Sequence, residues 1–185
     1  MTDKIVKRKM QVSQTVEWLT EALIQLMERK PYNQITISEL TKRSGLSRRT
    51  FYRHFSSIDD ILVQEINKQI EELFQETRRK GAETFEKGIR VSFEYWLTQR
   101  DFLLLLQKND LMPILLAGLP TYMKYSNINR ALIDQNDYFY YFIAGGISNL
   151  LILWLEEGAV KSPQDMAKVA AGITEAFQGI GLSEQ

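Results

Sequence analysis

The sequence predicts an all-α protein on three observations. Apolar residues recur at steps of three and four in nearly every segment, the second half shows no two-residue strand alternation, and Ser, Thr or Asp stands at the head of several apolar runs. A chain of 185 residues is ample for one or two small domains with their own core. The absence of cysteine and the single histidine, His54, exclude disulfide scaffolds, thiol catalysis, zinc fingers and multi-histidine metal sites. No metal and no cofactor are expected, and a reducing cytoplasm fits this composition. Met1 to Met10 is charged and has no apolar stretch, so a secretory signal is not expected there.

The first helix is read from Val12, Val16, Leu19, Leu23 and Leu26, which form one stripe ending near Lys30, with Pro31 as the stop. Tyr32 to Ile35 reads as a polar link. Thr36, with Glu39 three residues on, has the capping-box pattern of a short second helix. Ser44-Gly45 closes that helix, because glycine tolerates the left-handed conformation at a helix end. Ser47 then caps a third short helix through His54, and Ser57 with Asp60 opens a long fourth helix from about Ile58 to Arg79. Two short helices joined by a glycine turn, behind a longer first helix, make a helix-turn-helix unit. Ile37, Leu40, Leu46, Phe51 and Phe55 are spaced to share its core, which leaves Arg48, Arg49, Tyr52 and Arg53 on the outer side of the third helix.

Charge supports a division of labour. Net charge is zero over the whole chain, yet residues 1–56 hold 11 basic and 5 acidic side chains while residues 57–185 hold 12 and 18. A basic head on an acidic body suits a polyanion partner that only the head should meet. In a helix-turn-helix the second helix enters the major groove, where Arg reads guanine O6 and N7 in bidentate fashion. Arg48 and Arg49 stand at that position, and Thr50 and Tyr52 offer hydroxyls to phosphate oxygens. The same face also reads as an ordinary solvated basic surface. His54 has no second histidine or cysteine to form a catalytic or metal set, and the acid pairs Glu71-Glu72 and Glu156-Glu157 read as solvated helix faces. The chain is therefore not expected to be an enzyme.

Beyond Gly81 the pattern predicts a helical bundle. Phe85, Ile89, Phe93, Trp96 and Leu97 repeat at helical steps, and Asp101 is expected to cap a short apolar helix through Leu106. Leu111 to Asn129 reads as helical but broken by Pro113 and Pro120. Its aromatic and soft residues, Tyr122, Met123 and Tyr125, suit either a core or a ligand cavity, and Phe93, Trp96, Tyr122 and Tyr125 are the candidate cavity wall. Tyr138 to Leu155 is 18 residues without a charge. Its flanks are acidic, without Lys/Arg bias, and Gly145, Gly146, Ser148 and Asn149 dilute its middle, which argues against a membrane span. A soluble helix apolar all round is buried, within a bundle or between subunits.

The run ITISELTKRSGLSRRTFYRHFSSIDDIL, Ile35 to Leu62, closely resembles the N-terminal domain of the tetracycline-repressor (TetR) family of bacterial regulators. Thr36-Ile37, Gly45-Leu46-Ser47 and Tyr52-Arg53-His54-Phe55 stand at that family's spacings. The resemblance implies a helix-turn-helix DNA-binding domain over residues 8–73, with its motif at 36–55, and a helical effector-sensing and dimerisation domain over 74–185. It implies a base-reading position for Arg48, backbone contacts from Thr50, Tyr52 and His54, and a phosphate contact from Thr36, with Ser47 and Arg53 also among the candidate DNA-contacting residues. Ile58 stands where the family usually has lysine, and Arg49 where it often has a small residue. Arg49 or the basic arm of Lys4, Lys7, Arg8 and Lys9 could replace the missing phosphate contact. The family pairs its last two long helices across a dimer interface. Carried over, that assigns Gly145, Gly146, Leu150 and Leu153 on one helix and Val169, Ile173 and Phe177 on the other. The stretch FIAGGISNLLILWLEEGAVKSPQDMA also resembles one C-terminal subgroup, which includes the activator of dihydroxyacetone-kinase operons. The expectation is a cytoplasmic homodimeric regulator of transcription, a repressor released from double-stranded operator DNA by an effector. The alternatives are an activator governed by a partner protein, or an interaction module or enzyme without DNA function.

Overall fold

The computed structural model describes residues 2–125 and 137–180, without the side chains of residues 2–9, 11, 125 and 174–180. The described residues form helices and turns only, in the order α1 (Thr2–Met27), α2 (Ile37–Ser44), α3 (Arg48–His54), α4 (Ile58–Arg79), α5 (Phe85–Thr98), α6 (Arg100–Lys108), α7 (Met112–Tyr125), α8 (Asp137–Glu156) and α9 (Pro163–Ile180). The chain divides into two compact units, Met1–Ile66 and Asn67–Gln185, with the boundary inside α4.

In the first unit α1 packs on α2, and α2 on α3. Leu19, Ala22, Leu23 and Met27 are buried, whereas Val12 is 43% exposed, so the apolar stripe of α1 is core only over its last turns. The backbone already tightens at Arg29, whose N–H donates to the Leu26 carbonyl, two residues before Pro31. A single 3₁₀ turn at Tyr32–Gln34 follows, and Ile35, expected in a polar link, is buried. The basic segment Lys4, Lys7, Arg8, Lys9 belongs to the first turns of α1 and is not a separate arm.

The second unit pairs α5 with α9 and packs α8 against α7 and α6. Thr84 caps α5 by accepting from the Lys87 N–H, and Ser162 caps α9 by accepting from Asp165, with Pro163 in the first turn, where its missing donor costs nothing. Two expectations are corrected. Asp101 lies inside the first turn of α6 and Gln99 precedes the helix, so the Asp101 carboxylate complements the helix dipole and does not cap. Met112–Tyr125 is one continuous helix, with Pro113 in its first turn and Pro120 inside it, and residues 126–129 of the expected segment lie outside the described residues. Proline at a helix start forfeits no hydrogen bond, and Pro120 forfeits one without ending the helix. Gly118 permits a close approach to α4, since a Cβ there would stand 3.0 Å from Ile70 Cδ1.

The uncharged helix α8 is long and apolar enough to cross a membrane by composition, yet one face is core. Tyr140, Ile143, Ala144, Leu151, Trp154 and Leu155 are buried in the unit, and Trp154 meets the Phe93 ring edge-on at 5.1 Å. Its other face is open: Tyr138 is 84% exposed, and Tyr141, Phe142 and Leu153 are exposed with it. After Glu156 the chain turns through Gly158 (φ 85°) and Ala159 (φ 55°), whose N–H groups return to the Leu155 and Trp154 carbonyls.

Candidate nucleic-acid interface

The helix-turn-helix is built by local hydrogen bonds that its sequence specifies. Thr36 Oγ1 accepts from the Glu39 N–H at 3.3 Å while the Thr36 N–H donates to the Glu39 carboxylate at 3.0 Å, closing the capping box of α2. Gly45 takes φ 69° and returns its N–H to the Thr41 carbonyl, which ends α2 and turns the chain toward α3. Ser47 Oγ accepts from the Thr50 N–H at 3.1 Å and pairs with Thr50 Oγ1 at 2.9 Å. That double contact fixes the first turn of α3. It also commits the Ser47 and Thr50 hydroxyls to each other in the free protein.

Burial fixes which way α3 faces. Phe51 is fully buried, Leu40 and Phe55 are buried, and Ile37 and Leu46 are half-buried. Phe51 meets Tyr52 edge-on at 5.1 Å and Phe55 at 6.2 Å. With that side inward, Arg48, Arg49, Tyr52 and Arg53 are exposed. Among the described residues no acidic side chain pairs with Arg48 or Arg49, so their charge is free for an external anion. Thr36 is also exposed, and Ile58, half-buried, opens α4 without a charge to offer a phosphate. The side chains of Lys7, Arg8 and Lys9 lie outside the described residues.

His54 is half-buried, and its Nε2 stands 3.4 Å from Arg53 Nε, which donates to it. Burial, and then the neighbouring Arg53 charge, push its pKa down. The imidazole is therefore neutral at neutral pH in the free protein, an acceptor for Arg53 and not a second cation.

Three latches brace the unit, the first two of them pairings that sequence reasoning did not single out. Lys30, in the turn that follows α1, donates to both Glu39 oxygens at 2.9 and 3.0 Å. Tyr32 donates its hydroxyl to Asp59 in the first turn of α4, and burial followed by that hydrogen bond pushes its pKa well above the usual tyrosine range. The Asp60 carboxylate accepts from the Ser56 and Ser57 N–H groups, which holds its pKa below the usual range. Lys30 first, then Thr36, lower Glu39 from 4.5 to about 2. A carboxylate depressed in the folded state contributes stability that is present above the unfolded value and lost as pH falls toward the folded one. Stability of the unit is therefore expected to fall between about pH 4.5 and 2, and Glu39→Gln to flatten that fall. Acid titration followed by circular dichroism checks this, and identical acid profiles for the two proteins would refute it.

The second unit holds a cavity of about 70 Å³ whose wall includes Phe74, Ile89, Trp96, Met123 and Ser148. Of the three candidate wall residues whose side chains are described, Trp96 lines it and Phe93 and Tyr122 do not. Phe93 instead packs on Trp154, and Tyr122 stacks on Phe74 with ring centroids 5.7 Å apart. The Tyr125 side chain lies outside the described residues. Of the residues assigned to a dimer face, Gly146, Leu153, Val169 and Ile173 are exposed and Gly145 and Leu150 half-buried, and the Phe177 side chain lies outside the described residues.

Comparison with known proteins gives concordant likenesses. Residues 19–64 match the family described as bacterial regulatory proteins, tetR family. A Haemophilus influenzae protein named as an uncharacterized HTH-type transcriptional regulator is 26% identical over 95 residues, covering 48% of this chain and 46% of that protein. The chain thus matches about half the length of that relative. Among solved structures, a TetR transcriptional regulator from Streptococcus agalactiae aligns over 92% of this chain and 98% of its own, with TM-score 0.70 and 20% identity. The fatty acid degradation regulator FadR from Bacillus halodurans covers 84% and 92% with TM-score 0.57 and 13% identity. The dihydroxyacetone kinase operon activator DhaS covers 90% and 97% with TM-score 0.58 and 16% identity. At these identities the structural likeness is one of fold.

Proposed function

We propose that this chain, a member of the TetR family of bacterial regulators through its helix-turn-helix unit, works as a homodimeric repressor in the cytoplasm that leaves its operator when an effector binds. The observation that carries the reading is the outer face of α3. Arg48 and Arg49 stand exposed and unpaired at the start of a helix whose opposite side is anchored by Phe51. Arginines placed there suit direct readout of guanine, while Thr36, Tyr52, Arg53 and the α3 N-terminus suit phosphates. Ser47, Thr50 and His54 border that face, and Lys7, Arg8 and Lys9 add sequence-independent attraction.

Two heads are needed to read a palindrome, with half-sites about 34–36 Å apart on one face of the duplex. The exposed apolar residues of α8 and α9, Tyr141, Phe142, Leu153, Val169 and Ile173, support a second copy as their cover, since a monomer rarely leaves such a patch open. Gly145, Gly146, Leu150 and Phe177 complete the assigned face. Control by an effector is supported by α4, which gives its first turns to the unit of residues 1–66 and Leu73, Phe74 and Thr77 to the cavity wall. A ligand that favours one position of that helix shifts the spacing of the heads, and with it operator affinity.

Fluorescence anisotropy with the DNA upstream of the protein's own gene tests the interface. Arg48→Ala is expected to cost about 1–3 kcal/mol for each bidentate arginine–guanine pair removed and to relax base preference at one position per half-site. Unchanged affinity together with unchanged sequence preference would remove Arg48 from readout.

A further inference from the structure

The cavity in the unit of residues 67–185 is walled by α4, α5, α7 and α8, and no lining residue carries a charge. Most of the wall is hydrocarbon, with Phe74, Ile89, Trp96, Leu119 and Leu151 among its members. Ser148 departs from it. The residue is 5% exposed and lines the cavity from α8, and its hydroxyl makes no hydrogen bond to any described residue. A serine in a helix commonly bonds the carbonyl four residues back, as Thr77 does here with the Leu73 carbonyl at 2.8 Å. Among the described residues Arg100 Nε, not Ser148 Oγ, is the solvent-excluded side-chain atom without a partner, so the Ser148 hydroxyl meets accessible space, where a ligand oxygen can take the place of water. Ser92, half-buried on α5, lines the same space and is also without a hydrogen bond among the described residues.

We propose that this cavity takes an uncharged, mainly hydrocarbon ligand whose single hydroxyl or carbonyl oxygen hydrogen-bonds the Ser148 hydroxyl. The inference rests on the reading of the chain as an effector-controlled regulator and names the chemistry of that effector. A carboxylate, phosphate or ammonium end would enter without a counter-charge and lose its hydration unrepaid. A space of about 70 Å³ is smaller than the roughly 150 Å³ that holds a benzene ring, so a slender chain or one small ring enters as the wall yields, held by contacts such as the Trp96 face.

The test uses the full-length protein with two probe series by titration calorimetry: 1-hexanol against hexanoate and hexylamine, and benzyl alcohol against toluene, benzoate and benzylamine. Saturable binding of at least one alcohol is expected, with the charged analogues tenfold weaker or more. Ser148→Ala is expected to weaken alcohol binding roughly threefold to tenfold and to leave toluene unchanged, while Ser148→Thr keeps the alcohol preference. No saturable binding of either alcohol, charged probes that bind as tightly, or an alcohol affinity indifferent to Ser148→Ala would each overturn the proposal. The same samples are then tested for release of upstream DNA. Alcohol binding with the predicted pattern but without release upholds the ligand chemistry and defeats the effector role, so the two failures are separable.

Discussion

Phe51→Ala is expected to abolish DNA binding by unfolding the unit that presents α3. The ring is fully buried and touches both Tyr52 and Phe55, and truncating a buried phenylalanine costs about 3–5 kcal/mol. A unit of 66 residues has little reserve, because native stability is of order 0.05–0.15 kcal/mol per residue. The substitution also removes what orients the arginines, since only burial of this side of α3 sends Arg48 and Arg49 outward. Hydrogen exchange distinguishes this from general collapse: amide protection over 37–66 should disappear while that of α5 and α8 survives. Phe51→Leu, which keeps most of the volume, should retain partial binding. Full protection in Phe51→Ala would mean that the face of α3 is held by something other than this ring.

Gly146→Leu is expected to give a folded monomer with much weaker operator binding. A Cβ at Gly146 meets nothing within 4 Å among the described residues, and leucine is a better helix former than glycine, so the protomer itself should tolerate the change. A bulky side chain on an exposed helix face obstructs only what covers that face. Loss of the second head removes the effective concentration that linkage provides, commonly a factor of about 10²–10⁴. Sedimentation velocity reads the mass and anisotropy the affinity. A dimer of unchanged stability would move the interface off α8.

The parts of this structure that were legible in the sequence are those fixed by neighbours within four residues. Thr36 with Glu39, Ser47, Ser57 with Asp60, and Gly45 each make the bond their pattern announces, and they set the bounds of α2, α3 and the start of α4. The outward face of α3 followed, because placing Phe51 inside leaves little choice for Arg48 and Arg49. What stayed hidden depends on partners far along the chain. Tyr32 and Asp59 are 27 residues apart, and no local pattern pairs them. The cavity wall is only partly legible for a related reason: Phe93 and Trp96 sit on nearly the same side of α5, and helical period alone does not tell a residue packed on Trp154 from one facing an empty space. Ser148 read as a diluting polar residue in an apolar helix, and only the missing hydrogen bond marks it. Val12 shows the converse, an apolar position in perfect period that is exposed among the described residues.

Everything proposed for the function of this chain depends on whether the free cations of α3 read a DNA sequence. The most direct measurement is binding of the wild-type protein to its own upstream DNA and to a scrambled duplex of equal length and composition, across a salt series. Affinity for the upstream site is expected to exceed that for the scrambled duplex by at least about 10³-fold at physiological salt, with a footprint of two half-sites about one helical turn apart. Equal affinity for both duplexes at every salt concentration would contradict this, leaving Arg48 and Arg49 as a basic surface that attracts phosphates and reads nothing.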